Sequence, residues 1–208
     1  MIALETAVQF AVVAIVLGLV PGPDNLFVLM QSAISGARAG VAVTLGLCTG
    51  LIVHTTAVAF GVAALFAASA MAFTALKVVG AAYLLYLAIG AFRAGGAATG
   101  SVVSAAGSRP ALYLRGVMMN ITNPKVAIFF LAFLPQFVTP ESGAVAPQIF
   151  QFGALFMAAS LVVFSMVALL AGRLSGWLRR SPRAMPVMHK VAGTVFLGLA
   201  AKLVTAQR

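Results

Sequence analysis

Long apolar runs, separated by short polar stretches, fill this chain from end to end. They cover roughly residues 7–34, 41–67, 71–92, 111–138, 146–170 and 187–204. Each is about long enough to cross a bilayer as a helix, and none alternates with the period of two that a lipid-facing barrel strand requires. Only helices and closed barrels satisfy their own backbone in lipid, so the pattern predicts an all-α, polytopic membrane protein of about six transmembrane helices. The divide between the second and third runs, LFAASAMAF, is an apolar turn without strong breakers, which leaves five spans as the alternative count. The first run has no basic leader and Glu5 is its earliest charge, so it reads as a retained span and not a cleaved signal peptide.

Two of the runs are interrupted. The first carries PGPDN, with Pro21, Gly22, Pro23, Asp24 and Asn25 inside an otherwise apolar segment; the fourth carries NPK, with Asn123, Pro124 and Lys125. Setting Pro23 against Pro124 aligns PGPDNLF with ITNPKVAIF at an offset of 101 residues. At the α-helical rise, Pro21 lies about 22 Å into its span and Pro124 about 20 Å into its own, so both breaks fall in the middle of the bilayer. Each has the chemistry of a helix start. Gly22 and Asn123 suit the N-cap, and Pro23 and Pro124 suit the first helical position, where the missing N–H costs nothing. Half-helix N-termini at this depth favour an anion, and broken backbone is tolerated there only when buried in protein or lining a cavity.

The breaks also divide the chain. The segment 94–110, rich in Gly, Ser and Ala, reads as a flexible linker between halves 1–93 and 111–208 of a single transmembrane transport domain. Three spans is an odd number, so the halves enter from opposite faces and are expected to form two inverted three-helix repeats with broken first and fourth helices. Asp24 and Lys125 then occupy equivalent positions and are expected to approach each other at a shared central site. Each costs on the order of 3 kcal/mol near the membrane centre, which asks for a partner, a cavity or a function. The break residues Pro21, Gly22, Pro23, Asp24, Asn25, Asn123, Pro124 and Lys125 are the expected substrate-binding site, and a purely structural ion pair of Asp24 with Lys125 is the alternative. Lys125 also breaks a local rule, because an ammonium in a first helical turn opposes the dipole.

Composition agrees with the apolar pattern: 62% hydrophobic residues, 8% charged and a mean hydropathy of +1.11 lie outside the range of soluble domains. The net charge of +10 is not a nucleic-acid footprint, because the basic residues punctuate apolar runs and form no stripe. Arg38, then Arg93, Arg109 and Arg115, then Arg173, Arg179, Arg180, Arg183 and Lys190 mark alternate connections, nine of the 13 Lys and Arg. The positive-inside rule places those connections in the cytoplasm and both termini outside. Trp177 beside Arg179 and Arg180 reads as an interfacial anchor.

The remaining candidates are weaker. His54, mid-span, is either a hydrogen-bonded packing residue or, with Asp24, a proton relay. Gly46 and Gly50 form a GxxxG that lets helices approach closely and admits a homodimer without requiring one. Gln31, Thr44, Thr49 and Thr55 either line a polar path or bond back to carbonyls, and Tyr83 and Tyr86 read as packing or anchoring residues. One cysteine, Cys48, excludes an intramolecular disulfide. No cofactor is implied, and three acidic residues are too few for a metal path. A membrane enzyme is disfavoured: the chain has no HExxH, no paired carboxylates and no P-loop.

Taken together, PGPDN, GARAGVAVTLGLCTG, LKVVGAAYLLYLAIGAFR, NITNPKVAIFFLAFLPQF and GTVFLGLAAKL, in that order over nearly the whole chain, resemble the LysE/RhtB family of bacterial amino-acid exporters. The resemblance implies a multi-pass protein of the bacterial inner membrane that exports amino acids or close derivatives with energy from the proton gradient. It carries the PGP and NPK signatures onto Pro21, Gly22, Pro23, Asn123, Pro124 and Lys125. An exporter or channel for another small solute or cation on the same scaffold is the alternative.

Overall fold

A computed structural model describes residues 2–68, 70–93, 107–181 and 183–205. The described residues are helical almost throughout. α1 (Leu4–Leu19) and α2 (Pro23–Ser35) meet at the first break with a bend of 60°. α3 (Ala37–Ala68) and α4 (Ala70–Arg93) follow as separate helices, which favours six spans over five. α5 (Arg109–Ile121) and α6 (Pro124–Ile128) meet at the second break, bent by 49° over Arg109–Ile121 and Pro124–Phe137. α6 runs on through a π-helical turn, Phe129–Phe133, and a 3-10 turn, Leu134–Phe137. α7 (Val145–Arg180) and α8 (Ala184–Thr205) complete the chain. Among the described residues four helices are individually long and apolar enough to cross a membrane, and up to six spans result when each bent pair counts as one. Most of the expected 94–110 linker, and the side chains of Trp177, Arg179 and Arg180, lie outside the described residues.

Side-chain contacts fix the relative directions of the helices. Gly193 of α8 lies against Phe92 of α4, and Gly80 of α4 against Leu203 of α8, so these two helices run antiparallel. Thr55 meets Gly153, and Gly40 meets Ala168, which makes α3 and α7 antiparallel as well. By contrast, Gly46 packs on Tyr113 and Gly50 on Asn120, so α3 and α5 run parallel; Phe10 against Phe152 and Gly18 against Val163 give the same sense for α1 and α7. The α3–α5 contact is very close. A Cβ on Gly46 would strike the Tyr113 carbonyl, and one on Gly116 the Val43 carbonyl, so both positions need glycine. The GxxxG of α3 therefore serves packing within the chain, where a dimer contact was the alternative use.

Apolar side chains are split into two cores. One is dominated by phenylalanine: Phe10, Phe129, Phe133, Phe137, Phe152 and Phe156 are all buried and in ring contact, tilted at 4.8 Å between centroids for Phe10–Phe152 and stacked at 5.1 Å for Phe129–Phe133. It fills the bundle between the breaks and the face where α1 and α7 begin. Lys202 covers it there, its ammonium 4.7 Å from the Phe137 ring centroid. The second core, around Phe27, Val43, Leu47 and Phe164, closes α2 against α3 and α7 near the opposite face. Arg115 lies over Phe27 at 4.7 Å, and Arg38 and Arg109 line one groove, so the first and third connections meet on that arginine-bearing face.

Candidate functional site

The two breaks form as their residues dictate. Gly22 is the N-cap of α2 with Pro23 at its start, and Leu26 N donates to Gly22 O at 3.1 Å as the first helical bond. Asn123 is the N-cap of α6 with Pro124 at its start, and its side-chain oxygen accepts from Lys125 N at 3.0 Å. Glycine offers α2 no such side chain.

Across the gap, each half reaches into the other. The Lys125 ammonium donates to Val20 O, at the C-terminal end of α1, over 3.5 Å. It also lies above Gly22, where a Cβ would come within 3.1 Å of Nζ. This contact explains the misplaced charge: Lys125 opposes the dipole of its own helix but meets the negative, carbonyl end of α1, whose last C=O groups have no intrahelical donor. In return Asp24, from the first half, faces the second: Lys125, Asn123 and Asn120 act on its carboxylate, as does His54 from α3. Asp24 is 2% exposed and Lys125 8%. Asp24 Oδ1, Asn120 Oδ1 and Asn123 Nδ2 have no hydrogen-bond partner among the described residues. Such groups are costly to bury unless something else satisfies them.

A cavity of about 320 Å³ opens on one side of the crossing. Its floor is the breaks themselves: Pro21, Gly22 and Pro23 with Asn123, Pro124 and Lys125. Tyr83, Tyr86 and Leu87 of α4 form one wall, and His189, Ala192 and Phe196 of α8 another. It extends towards the end of α4 and the start of α8, the face of Arg93. Asp24 and Asn25 do not line it. Asn25 instead donates to Gly18 O at 2.6 Å, satisfying a carbonyl that the first break leaves without an intrahelical donor. His54 is placed on the Asp24 side, with Nε2 3.1 Å from Asn120 O and its ring 5.8 Å from Phe130, so packing contact and proximity to Asp24 coexist. Thr44, Thr49 and Thr55 bond to the carbonyls of Gly40, Leu45 and Leu51, the commoner of their two expected roles.

His189, which the sequence did not single out, lines the cavity together with Tyr83 and Tyr86, which it read as packing or anchoring residues. His189 sits in the first turns of the last span, next to a cluster of basic residues that made it look like part of a connection. The tyrosines fall three apart on α4, a spacing that places them on one face and that lipid anchoring would share.

A bundle of long apolar helices, two of them broken pairs whose ends meet at one cavity, is a polytopic membrane protein. A family model, LysE type translocator, matches residues 15–207. The chain belongs to that family. It is 36% identical over 194 residues, 92% of each chain, to a homoserine/homoserine lactone efflux protein of Salmonella typhimurium. It is 34% identical over 198 residues, 95% of this chain and 96% of the other, to an uncharacterized membrane protein of Vibrio cholerae. A leucine efflux protein of Salmonella choleraesuis shares 29% identity over 203 residues, covering 95% and 94%. No solved structure matches.

Proposed function

We propose that this protein is a secondary transporter exporting amino acids or close derivatives from the cytoplasm of a bacterium across its inner membrane, coupled to the proton gradient. The observation that carries this reading is the buried Lys125 ammonium at the floor of the cavity, beside the N-terminus of α2, which has no side-chain cap. An amino-acid carboxylate placed there meets a full positive charge, free N–H groups and the positive end of a helix dipole. The ammonium of the substrate then turns to the carbonyls near Pro21 at the end of α1. Membership of the translocator family and the efflux names of the relatives support the same direction of transport.

The arginine-bearing face is the cytoplasmic one by the positive-inside rule, with both termini outside. The cavity then opens towards the cytoplasm, and the phenylalanine core closes the outside. Antiparallel packing of α3 with α7 and of α4 with α8 supports an inverted repeat, since each pair joins an element to its counterpart in the other half. Asp24, with His54 beside it, is the group that takes the coupling proton: it lies behind the cavity floor, within reach of Lys125. Protonation there changes the field at Lys125, so proton and substrate compete through one charge pair.

The test is efflux of preloaded labelled amino acids from whole cells, comparing wild type with Lys125→Ala and Asp24→Asn at matched membrane abundance. Lys125→Ala is expected to lose efflux; Asp24→Asn is expected to keep downhill exchange and lose its response to a pH gradient. Wild type that moves no amino acid tested would refute the exporter reading. Normal gradient-driven efflux by both variants would place substrate and proton elsewhere.

A further inference from the structure

Away from the central cavity, the arginine-bearing face holds two further cavities between the starts of α3 and α5. One, of about 530 Å³, is polar: Ser35, Gly36 and Arg38 from the first connection meet Ser108 and Arg109 from the third. The other, of about 500 Å³, is apolar and is lined by Val41, Ala42, Leu45, Pro110, Tyr113 and Leu169. Arg38 and Arg109 line both. From Arg38 to Leu45 the apolar groove follows α3 for about 10 Å, away from the arginine-bearing face. Its large side chains are open to the surroundings, Leu45 at 48% and Leu169 at 69% exposure. At its far end the Tyr113 hydroxyl is held 2.9 Å from Thr49 Oγ1, which fixes that wall.

The two guanidinium groups have no carboxylate beside them among the described residues. No Asp or Glu lines either cavity, Asp24 is buried at the crossing, and Glu5 and Glu141 belong to the opposite face, where α1 and α7 begin. The geometry points to a bound phospholipid with a net negative headgroup, its phosphate held between Arg38 and Arg109 and one acyl chain laid along the α3–α5 groove. A guanidinium matches phosphate oxygens with a fork of donors, and basic residues at a membrane surface attract anionic lipid. A free phosphate would use only the polar cavity and an uncharged lipid only the groove; an anionic lipid uses the two together. Phosphatidylethanolamine carries the same phosphate, but its ammonium meets two guanidinium groups and no carboxylate. Phosphatidylglycerol brings no such charge. Binding of this kind depends on the membrane setting of the chain and is independent of what the protein carries.

The full chain, purified in detergent and incubated with equal amounts of phosphatidylglycerol and phosphatidylethanolamine of identical acyl chains, tests this by native mass spectrometry of the lipid retained. Wild type is expected to retain phosphatidylglycerol about tenfold over phosphatidylethanolamine. Arg38→Gln and Arg109→Gln should each lower phosphatidylglycerol retention about fivefold, whereas Arg183→Gln, which removes an equal charge outside both cavities, should leave it unchanged. Both arginines are exposed, so neither substitution disturbs the bundle, as thermal unfolding in detergent will show. Glycerophosphoglycerol, the same headgroup without acyl chains, and inorganic phosphate should displace none of the retained lipid at matched concentration. Displacement by either would replace the lipid with a small soluble anion. Equal retention of the two lipids, retention of neither, or an equal loss in Arg183→Gln would overturn the site.

Discussion

The two breaks are built from the same parts and finished differently. At the second, Asn123 caps α6 through its own side chain; at the first, Gly22 leaves α2 uncapped and makes room for a lysine from the other half. Both solve one problem, a helix that starts inside the bundle. One solves it internally and becomes a fixed wall. The other has no side-chain cap, and on the proposed reading its N–H groups are left for the substrate. On the proposed reading the α6 break supplies Lys125 and the α2 break supplies the uncapped helix end, so the two signatures PGP and NPK contribute different halves of one site.

The strongest way to break the comparison is Lys125→Met, which keeps the length of the side chain and removes its charge. Loss of a charge-assisted contact to the substrate carboxylate is expected to lower efflux at subsaturating substrate about 100-fold. Labelled efflux at equal membrane abundance checks it. Gly22→Asn is next, since it gives α2 the cap it lacks. The new amide competes for the N–H groups that a carboxylate would use and crowds Nζ, so the half-saturating substrate concentration should rise roughly tenfold while the protein stays as heat-stable as before. An unchanged half-saturating concentration would mean that the α2 end does not bind substrate. Asn123→Ala should do the reverse: about 1 kcal/mol of stability lost with the cap, read by thermal unfolding in detergent, and little change in specificity. The smallest effect is expected from Gly22→Ala. Its Cβ meets only the flexible tip of Lys125, which can shift by a few tenths of an ångström, so a change of two- to threefold in half-saturation, on the order of 0.5 kcal/mol, is the predicted outcome.

Much of this architecture is legible in the sequence because a bilayer allows few solutions. Apolar run length gives the spans, and Pro23 and Pro124 mark helix starts by removing an N–H where none is needed. The pairing of Asp24 with the second half and of Lys125 with the first follows from an offset that can be counted. What cannot be counted is which way each side chain turns at the crossing. Lys125 reaches over Gly22 into the cavity while Asp24 turns behind its floor, although their positions in the two halves correspond. Asn25, one residue from Asp24, spends its amide on Gly18 O, a bond across the bend that depends on its 60° angle. His189 was hidden for another reason: arginine and lysine around it suggest a water-exposed connection, whereas α8 begins at Ala184 and has already entered the bundle.

The phenylalanine core on the far side of the breaks has a consequence for the energy supply. On the proposed proton-coupled reading, this transporter must not become a wire for protons while it waits for cargo. Stacked rings with no polar atom give water nothing to bond to, and narrow apolar constrictions exclude it by dewetting. Contact among Phe10, Phe129, Phe133, Phe137, Phe152 and Phe156 is therefore expected to keep a chain of waters from linking the cavity to the other face. A single hydroxyl introduced there, as in Phe152→Ser, is expected to seed such a chain. It would appear as proton leak into proteoliposomes holding a pH-sensitive dye, in the absence of any amino acid.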